Sequence, residues 1–192
     1  MPTYFLQEIY DNFTFGPRYP PMSPSRLEIL SSVKEITGYL NIQAHHENFT
    51  NLNAFRNLEI IGGRHLTEYF SSLYIVKTSL SSLNMRKLQH IRSGSVAVLE
   101  NSELCYAQDI NWQKIMQSTS HNTLLQNNRP KPKCLSETKI CDSQCSDDGC
   151  WGPGKGMCLA CKGRIIFLVI FEKKKLLVYF FKKIIFSNFS FF

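Results

Sequence analysis

A short pattern of apolar residues recurs along the middle of the chain and restricts its fold more than any other feature. Each copy has two apolar residues three positions apart, then a glycine, then two apolar residues at alternating positions. In the second copy, a loop of extra residues separates Gly63 from the strand residues Leu73 and Ile75. The copies begin at Val33, Leu58 and Leu88, 25 and 30 residues apart. A period of this length with a short alternating strand is typical of leucine-rich-like solenoids. The pattern predicts a mainly β fold, in which each rung turns at glycine and adds one strand to a parallel sheet. The alternative is coincidental Leu/Ile spacing in an α/β domain.

Alternation along the three predicted strands separates an inward from an outward set of side chains. The inward set is Leu40, Ile42, Leu73, Ile75, Val96 and Val98. The outward set is Asn41, Gln43, Tyr74, Val76, Ala97 and Leu99. Four of these six are apolar or aromatic, and we expect them to face water side by side. An exposed apolar patch usually marks a partner surface. The alternative is that a flanking loop covers the patch.

A helix is predicted over residues 110–116, where Trp112, Ile115 and Met116 share one face at helical spacing. The alternative for this segment is a capping turn at the end of the solenoid, since the last rung of a solenoid needs a cap.

The seven cysteines are unevenly placed. Cys105 stands alone, and the other six lie within residues 134–161. Such density indicates either an oxidising compartment or zinc. Only Cys158 and Cys161 have the C-x2-C spacing that zinc sites prefer, so we favour disulfides and expect no metal and no cofactor. Because seven is odd, at least one thiol lacks a partner within the chain.

Charge is concentrated at the carboxyl end. The net charge is +7, but residues 163–192 hold six cations and one anion, against 16 and 14 in residues 1–162. A basic nucleic-acid-binding surface on the main body is therefore not expected. The longest uncharged apolar run, residues 165–171, is too short to cross a membrane. No signal peptide follows Met1, which indicates a cytosolic protein or a chain whose true start is missing.

Residues 163–192 differ in composition from the rest of the chain. They contain eight Phe, five Ile and five Lys, but no Ala, Asp, Thr, Pro or Cys. Phe, Ile, Lys, Asn and Tyr share A/T-rich codons, so we interpret this tail as translated intron or a mis-spliced end. The alternative is a basic amphipathic membrane-binding segment.

Four motifs, in order and at matching separations, resemble the epidermal growth factor receptor family. They are residues 33–42, residues 55–64, Leu104-Cys-Tyr106 with Ile110-Asn-Trp112, and residues 148–154 (Asp-Gly-Cys-Trp-Gly-Pro-Gly). The resemblance is greatest to the insect members and covers about residues 8–162. It implies a second receptor L domain, which is a right-handed β-helix solenoid, followed by a truncated furin-like module.

The resemblance also implies domain boundaries. Residues 1–30 are an irregular amino-terminal part of the L domain, and residues 31–134 hold its repeats and carboxyl-terminal cap. Residues 135–162 are a partial furin-like cysteine-rich module, and residues 163–192 are the tail outside the family.

Disulfide pairing is implied by the same resemblance. Cys105 pairs with Cys134, Cys141 with Cys150, and Cys145 with Cys158, while the partner of Cys161 belongs to a following module. Separately, the tripeptides beginning at Asn12 and Asn48 are candidate N-glycosylation sites.

The family implies a function. A receptor tyrosine kinase ectodomain would bind a growth-factor-like polypeptide on the outward sheet face and, at full length, pair with a receptor partner at the outer face of the plasma membrane. This chain has no phosphate loop and no catalytic loop, so we expect a ligand-binding fragment and not an enzyme. The alternative is a secreted decoy that sequesters ligand without signalling.

Overall fold

The computed structural model describes residues 23–117 and 122–162, together with the backbone of residues 169–172 and 175–178. Asn12 and most of the tail lie outside the described residues. The strands in chain order are β1 (Glu35–Ile36), β2 (Leu40–Ile42), β3 (Ile60–Ile61), β4 (Ser71–Val76), β5 (His90–Ile91), β6 (Ser95–Leu99), β7 (Thr123–Gln126), β8 (Val169–Glu172) and β9 (Lys175–Val178). Among these described residues, a single α-helix, α1, spans Lys131–Ser136. Segments of 3-10 helix are Pro24–Ser32, Asn53–Phe55, Glu68–Phe70, Trp112–Lys114 and Lys155–Met157.

Two parallel sheets form the walls of a solenoid. One has the strand order β1-β3-β5 and the other β2-β4-β6-β7. Successive rungs therefore place β1, β3 and β5 in one wall and β2, β4 and β6 in the other. The predicted mainly β, parallel solenoid is confirmed, and the α/β alternative is wrong.

The core is built from the predicted inward residues. Leu40 lies opposite Leu73, which lies opposite Val96 in the next rung. All six members of the inward set are at most 1% exposed. Burying an aliphatic side chain of this size stabilises the fold by roughly 1.5–3 kcal/mol, so each rung depends on its neighbours for stability.

Glycines occupy the corners at which one rung lies against the next. Gly63 and Gly94 have left-handed φ values of 69° and 86°. A β-carbon on Gly63 would overlap the backbone carbonyl of Ser93, and one on Gly94 would overlap the side chain of Leu66. The glycine in the repeat therefore serves both the turn and the close contact between rungs.

A second corner, at the carboxyl ends of the long strands, is repeated in three rungs. The residues Lys77, Glu100 and Asn127 have left-handed φ values of 50° to 55°. Each is followed by a buried polar side chain, and these are Thr78, Asn101 and Asn128.

Asn101 is the centre of this buried polar ladder. Its Oδ1 accepts from the backbone N and the hydroxyl of Thr78, at 3.0 and 2.7 Å. Its Nδ2 lies 3.2, 2.8 and 2.9 Å from the carbonyls of Ile75 and Leu99 and from Oδ1 of Asn128. The amide thereby bonds to backbone groups of its own rung and of the neighbouring rung in a buried environment, where hydrogen bonds to polar groups are needed.

The helix predicted over residues 110–116 is wrong. Only Trp112–Lys114 is helical, and it is a 3-10 turn. The backbone then joins the stack, because Ile91 N donates to Ile115 O at 2.7 Å and Gln117 N donates to Ile91 O at 2.9 Å. A fourth strand, β7, follows and pairs with β6. The segment continues the solenoid because its apolar residues are held by the preceding rung.

Three disulfides form: Cys105–Cys134 joins the solenoid to the start of the cysteine-rich segment, and Cys141–Cys150 and Cys145–Cys158 lie within that segment. These are the pairs that the family resemblance implies. Cys161 is exposed and free.

Trp151 docks the cysteine-rich segment on the solenoid. Its side chain is fully buried in the core of the solenoid. Its carbonyl accepts from the backbone N of Leu83 and of Asn84, at 3.0 and 2.8 Å. Gly149 makes this approach possible, since it has a φ of 86° and a β-carbon there would overlap the carbonyl of Asp109.

Residues Met1–Ala160 form one compact unit and Cys161–Phe192 another. In the second unit, β8 and β9 pair antiparallel, with Val169 opposite Val178. The boundaries at residues 30, 134 and 162 and the origin of the tail stay predictions. Within the described residues, no helix has the length and apolarity needed to cross a bilayer.

Candidate ligand-binding face

The outward side chains of β2, β4, β6 and β7 form two rows across the sheet, which we call the sheet face. In the first row, Asn41, Tyr74, Ala97 and Leu124 lie opposite one another. In the second row, Val76, Leu99 and Gln126 lie opposite one another. Gln43 comes directly after Ile42, which pairs with Ile75, so it lies level with Val76 in the same row. The sheet therefore brings together all six residues that the sequence predicts for this face.

The expectation that the apolar members of the sheet face are open to water is wrong. Tyr74, Val76, Ala97 and Leu99 are 5%, 7%, 0% and 7% exposed. Part of the reason is that they pack on each other and on half-buried Leu124 as a second apolar cluster, on the opposite side of the sheet from the main core. Parallel register places like side chains side by side, so each removes area from its neighbours.

Tyr74 is also covered by a loop, as the alternative interpretation of this face predicts. Tyr69 stacks on the Tyr74 ring with centroids 6.1 Å apart. The Tyr74 hydroxyl donates to Glu68 Oε2 at 3.0 Å. Burial and this hydrogen bond to a carboxylate raise the pKa of Tyr74 to about 12, so the phenol stays protonated and continues to donate. Both covering residues come from the insertion between the glycine and the strand of the second repeat.

The polar side of the sheet face is more open. Asn41 and Gln43 are half-buried, and Gln43 Nε2 donates to Asn41 Oδ1 at 3.1 Å. Primary amides retain further donors and acceptors for a partner.

The sequence prediction did not include two residues of this face or the aromatic pair beside it. Leu124 and Gln126 belong to β7, and the alternation Thr123-x-Leu125 after Ile115 is the signal that could have identified this strand. Tyr69 and Phe70 are 58% and 77% exposed. Their φ values of 55° and 53° are left-handed, a conformation that costs roughly 1–2 kcal/mol per residue.

The remaining predictions concern glycosylation and metal binding. The candidate glycosylation residue Asn48 is exposed. Within the described residues, no group of three or more His, Cys, Asp or Glu side chains is arranged to hold a metal ion.

Comparison with known proteins identifies the fold family. The receptor L domain family matches residues 7–116. This chain belongs to the receptor L domain family. The two disulfides that follow residue 134, Cys141–Cys150 and Cys145–Cys158, fit a furin-like cysteine-rich module.

Relatives of this L domain protein confirm the resemblance to the epidermal growth factor receptor family. The chain is 58% identical over 161 residues to the epidermal growth factor receptor of Apis mellifera, covering 84% of this chain and 12% of that protein. It is 49% identical over 158 residues to the Drosophila melanogaster epidermal growth factor receptor, covering 82% and 11%. It is 38% identical over 141 residues to the human receptor tyrosine-protein kinase erbB-4, covering 73% and 11%. The chain thus spans about a ninth of the length of these relatives.

Proposed function

We propose that this receptor L domain chain binds a growth-factor-like polypeptide on its sheet face. The observation that carries the proposal is the pair of in-register side-chain rows, which end in the half-buried amides of Asn41 and Gln43. Support comes from relatives that are named receptors for epidermal growth factor.

The binding mechanism is non-covalent. Apolar ligand side chains would extend the cluster around Val76 and Leu99, as at the core of protein interfaces. Asn41 and Gln43 would fix the register of the ligand through hydrogen bonds, because an amide leaves donors and acceptors that only a correctly placed partner satisfies.

Access to the apolar part of the sheet face requires the Tyr69 cover to move. The cover consists of one ring stack and one hydrogen bond to Glu68. The left-handed backbone at Tyr69 and Phe70 offsets part of that stabilisation. A ligand aromatic or aliphatic side chain can therefore replace the Tyr69 ring over Tyr74 at small cost.

Replacing Gln43 with Lys tests the proposal. The change removes the Gln43 acceptor and adds a charge on the sheet face, and we expect at least a ten-fold weaker affinity for a purified epidermal-growth-factor-like polypeptide, about 1.4 kcal/mol. Calorimetric titration measures the affinity, and circular dichroism checks that the fold is retained.

The matched control is Gln89→Lys, the same change at an exposed position just before β5, in the opposite wall. We expect its affinity to equal that of the unchanged chain. Equal affinities for both variants and the unchanged chain would place the ligand elsewhere and overturn the proposal.

We further propose that dimerisation and kinase activation belong to the parts of such receptors that lie beyond the matched region, at the outer face of the plasma membrane and across it. The relatives named receptor tyrosine-protein kinases are matched over 11% of their length. The secreted-decoy alternative makes the same binding prediction. Sequencing the transcript across the codon for Lys162 separates the two, because only a receptor transcript would continue into sequence that encodes a kinase domain.

A further inference from the structure

Two oppositely charged residues, Lys77 and Glu100, lie where the two central strands of the sheet face end. Each comes directly after a member of the second row, since Val76 ends β4 and Leu99 ends β6, and these two are in register. Lys77 N donates to the carbonyl of Leu99 at 3.2 Å, which holds the two corners together across the rungs. Lys77 and Glu100 are both exposed. The pair therefore borders the apolar part of the sheet face.

The backbone conformation at these corners does not favour Lys or Glu. The φ values of Lys77 and Glu100 are 50° and 55°, in the left-handed region. That region costs an ordinary residue roughly 1–2 kcal/mol, whereas Gly, and at times Asn, adopts it as a single residue. The corresponding corner after β7 is Asn127, with a φ of 55°, which fits this preference. Backbone geometry therefore does not account for the two charged residues.

The ion pair between them does not account for them either. Lys77 Nζ lies 3.8 Å from Glu100 Oε2, and the two side chains are 64% and 49% exposed. An exposed pair contributes only about 0–1 kcal/mol to stability. The pair between Arg92 and Glu35 in the opposite wall is closer, at 2.8 Å. Lys77 and Glu100 are thus loosely paired, and both charges are open to a partner.

The charge of Glu100 acts within the sheet face. Burial and the hydrogen bond to Glu68 raise the pKa of Tyr74 to about 12, and the negative charge of Glu100 adds to this rise. The adjacent side chain of Leu99 is apolar and nearly buried, so water screens this part of the face less than it screens open surface. Glu100 therefore influences any group that binds over the first row.

We propose that Lys77 and Glu100 are specificity-determining residues, which select a growth-factor-like polypeptide with a carboxylate that meets Lys77 and a cationic side chain that meets Glu100. This inference rests on the proposed function of the sheet face. A bound ligand removes water from both groups, so each needs an opposite charge, and a ligand with like charges at these places is rejected. Complementary charges of this kind act mainly on partner choice and association rate.

Exchanging the two charges tests the inference. The variant Lys77→Glu with Glu100→Lys keeps the net charge and the opposite signs of the pair, and it leaves both left-handed positions occupied by Lys or Glu, so the fold should be retained. Circular dichroism checks this. We expect its affinity for a purified epidermal-growth-factor-like polypeptide to be at least about ten-fold weaker, mostly through slower association. Surface plasmon resonance measures both quantities.

Salt distinguishes an electrostatic loss from a change of shape. The ten-fold difference is expected at about 0.1 M salt, where the screening length is about 10 Å. At about 1 M salt the screening length falls to about 3 Å, and the difference should shrink to less than about three-fold.

The matched control is Glu35→Arg with Arg92→Glu, which exchanges an ion pair in the opposite wall and also keeps the net charge. We expect this control to bind as the unchanged chain does. The inference is wrong if the Lys77→Glu, Glu100→Lys variant binds as tightly as the unchanged chain or more tightly. A loss that the control shares, or one that salt does not reduce, would also contradict it.

The Gln43→Lys variant, measured in the same series, separates this inference from the proposed function. A loss for Gln43→Lys without a loss for the exchanged pair would leave the sheet face as the ligand surface and overturn only the selection by Lys77 and Glu100. No loss for either variant would overturn both.

Discussion

The indole rings of Trp151 and Trp112 meet edge to face, with centroids 5.6 Å apart and an interplanar angle of 84°. Trp151 belongs to the cysteine-rich segment and Trp112 to the last rungs of the solenoid. Trp112 Nε1 also donates to the carbonyl of Ala107 at 3.0 Å, which fixes its ring. The cysteine-rich segment thereby supplies part of the solenoid core, so the two should unfold together.

Replacing Trp151 with Ala should lower the free energy of unfolding by about 3–5 kcal/mol, because it leaves a large cavity in the core. Urea denaturation followed by far-ultraviolet circular dichroism measures this. The control is Tyr69→Ala, which removes an aromatic ring that is 58% exposed, and we expect less than about 1 kcal/mol from it. Similar losses for the two variants would contradict the docking role of Trp151.

Replacing Asn101 with Ala should cost roughly 2–3 kcal/mol of unfolding free energy, because the Thr78 hydroxyl and the backbone carbonyl of Leu99 lose a buried partner. The neighbouring exposed residue provides the control, Ser102→Ala, which should change stability by less than about 0.5 kcal/mol. The same urea titration compares them. A loss for Asn101→Ala no larger than that for the control would show that the ladder is dispensable.

Much of the fold could be predicted because the inward residues of each rung are periodic in the sequence, as Leu40 and Ile42 are. A covering loop was foreseen only as an alternative, and the residues that cover Tyr74 could not be predicted, since Glu68 and Tyr69 lie in an insertion with no periodic relation to the strands. Asn101 was also missed. Its role depends on contacts with Ile75 and Thr78, one rung away, and a single polar residue gives no pattern from which that arrangement can be inferred.

Acid should weaken the contact between Asp148 and the solenoid. Hydrogen bonds from Lys114 Nζ at 2.5 Å and from Ser146 at 2.9 Å lower the pKa of Asp148. A carboxyl with a lower pKa in the folded state stabilises the fold above its unfolded pKa, and that contribution is lost as pH falls through the folded value. Unfolding free energy should therefore decrease below about pH 4.

The Asp148→Asn variant tests this pH dependence. It should be less stable than the unchanged chain at pH 7 and should show a smaller further loss between about pH 4 and pH 2. The control is Asp147→Asn, at the adjacent exposed carboxylate, which forms no ion pair with the described residues. Urea titrations across this pH range measure both variants. Parallel pH profiles for Asp148→Asn and the unchanged chain would contradict the prediction.

The free, exposed thiol of Cys161 should link two chains under oxidising conditions. Non-reducing electrophoresis of purified chain should show a dimer that disappears with reductant and is absent in Cys161→Ser. The control is Lys162→Ser, which changes the next exposed residue and keeps the thiol, and it should dimerise as the unchanged chain does. A dimer that persists in Cys161→Ser would mean that one of the three disulfides opens instead.

Residues 163–192 should harm solubility and add nothing to ligand binding. The apolar runs at residues 165–171 and 176–181 are rich in β-forming residues, and such segments promote aggregation when they have no core to join. A chain that ends at Lys162 and carries Cys161→Ser should elute as a monomer in size-exclusion chromatography, with the same affinity for an epidermal-growth-factor-like polypeptide as the unchanged chain. The comparison with full-length Cys161→Ser isolates the contribution of the tail, because the thiol is absent from both. Loss of folding or of binding on removal of the tail would show that it is a genuine part of the protein, and the interpretation as translated intron would have to be abandoned.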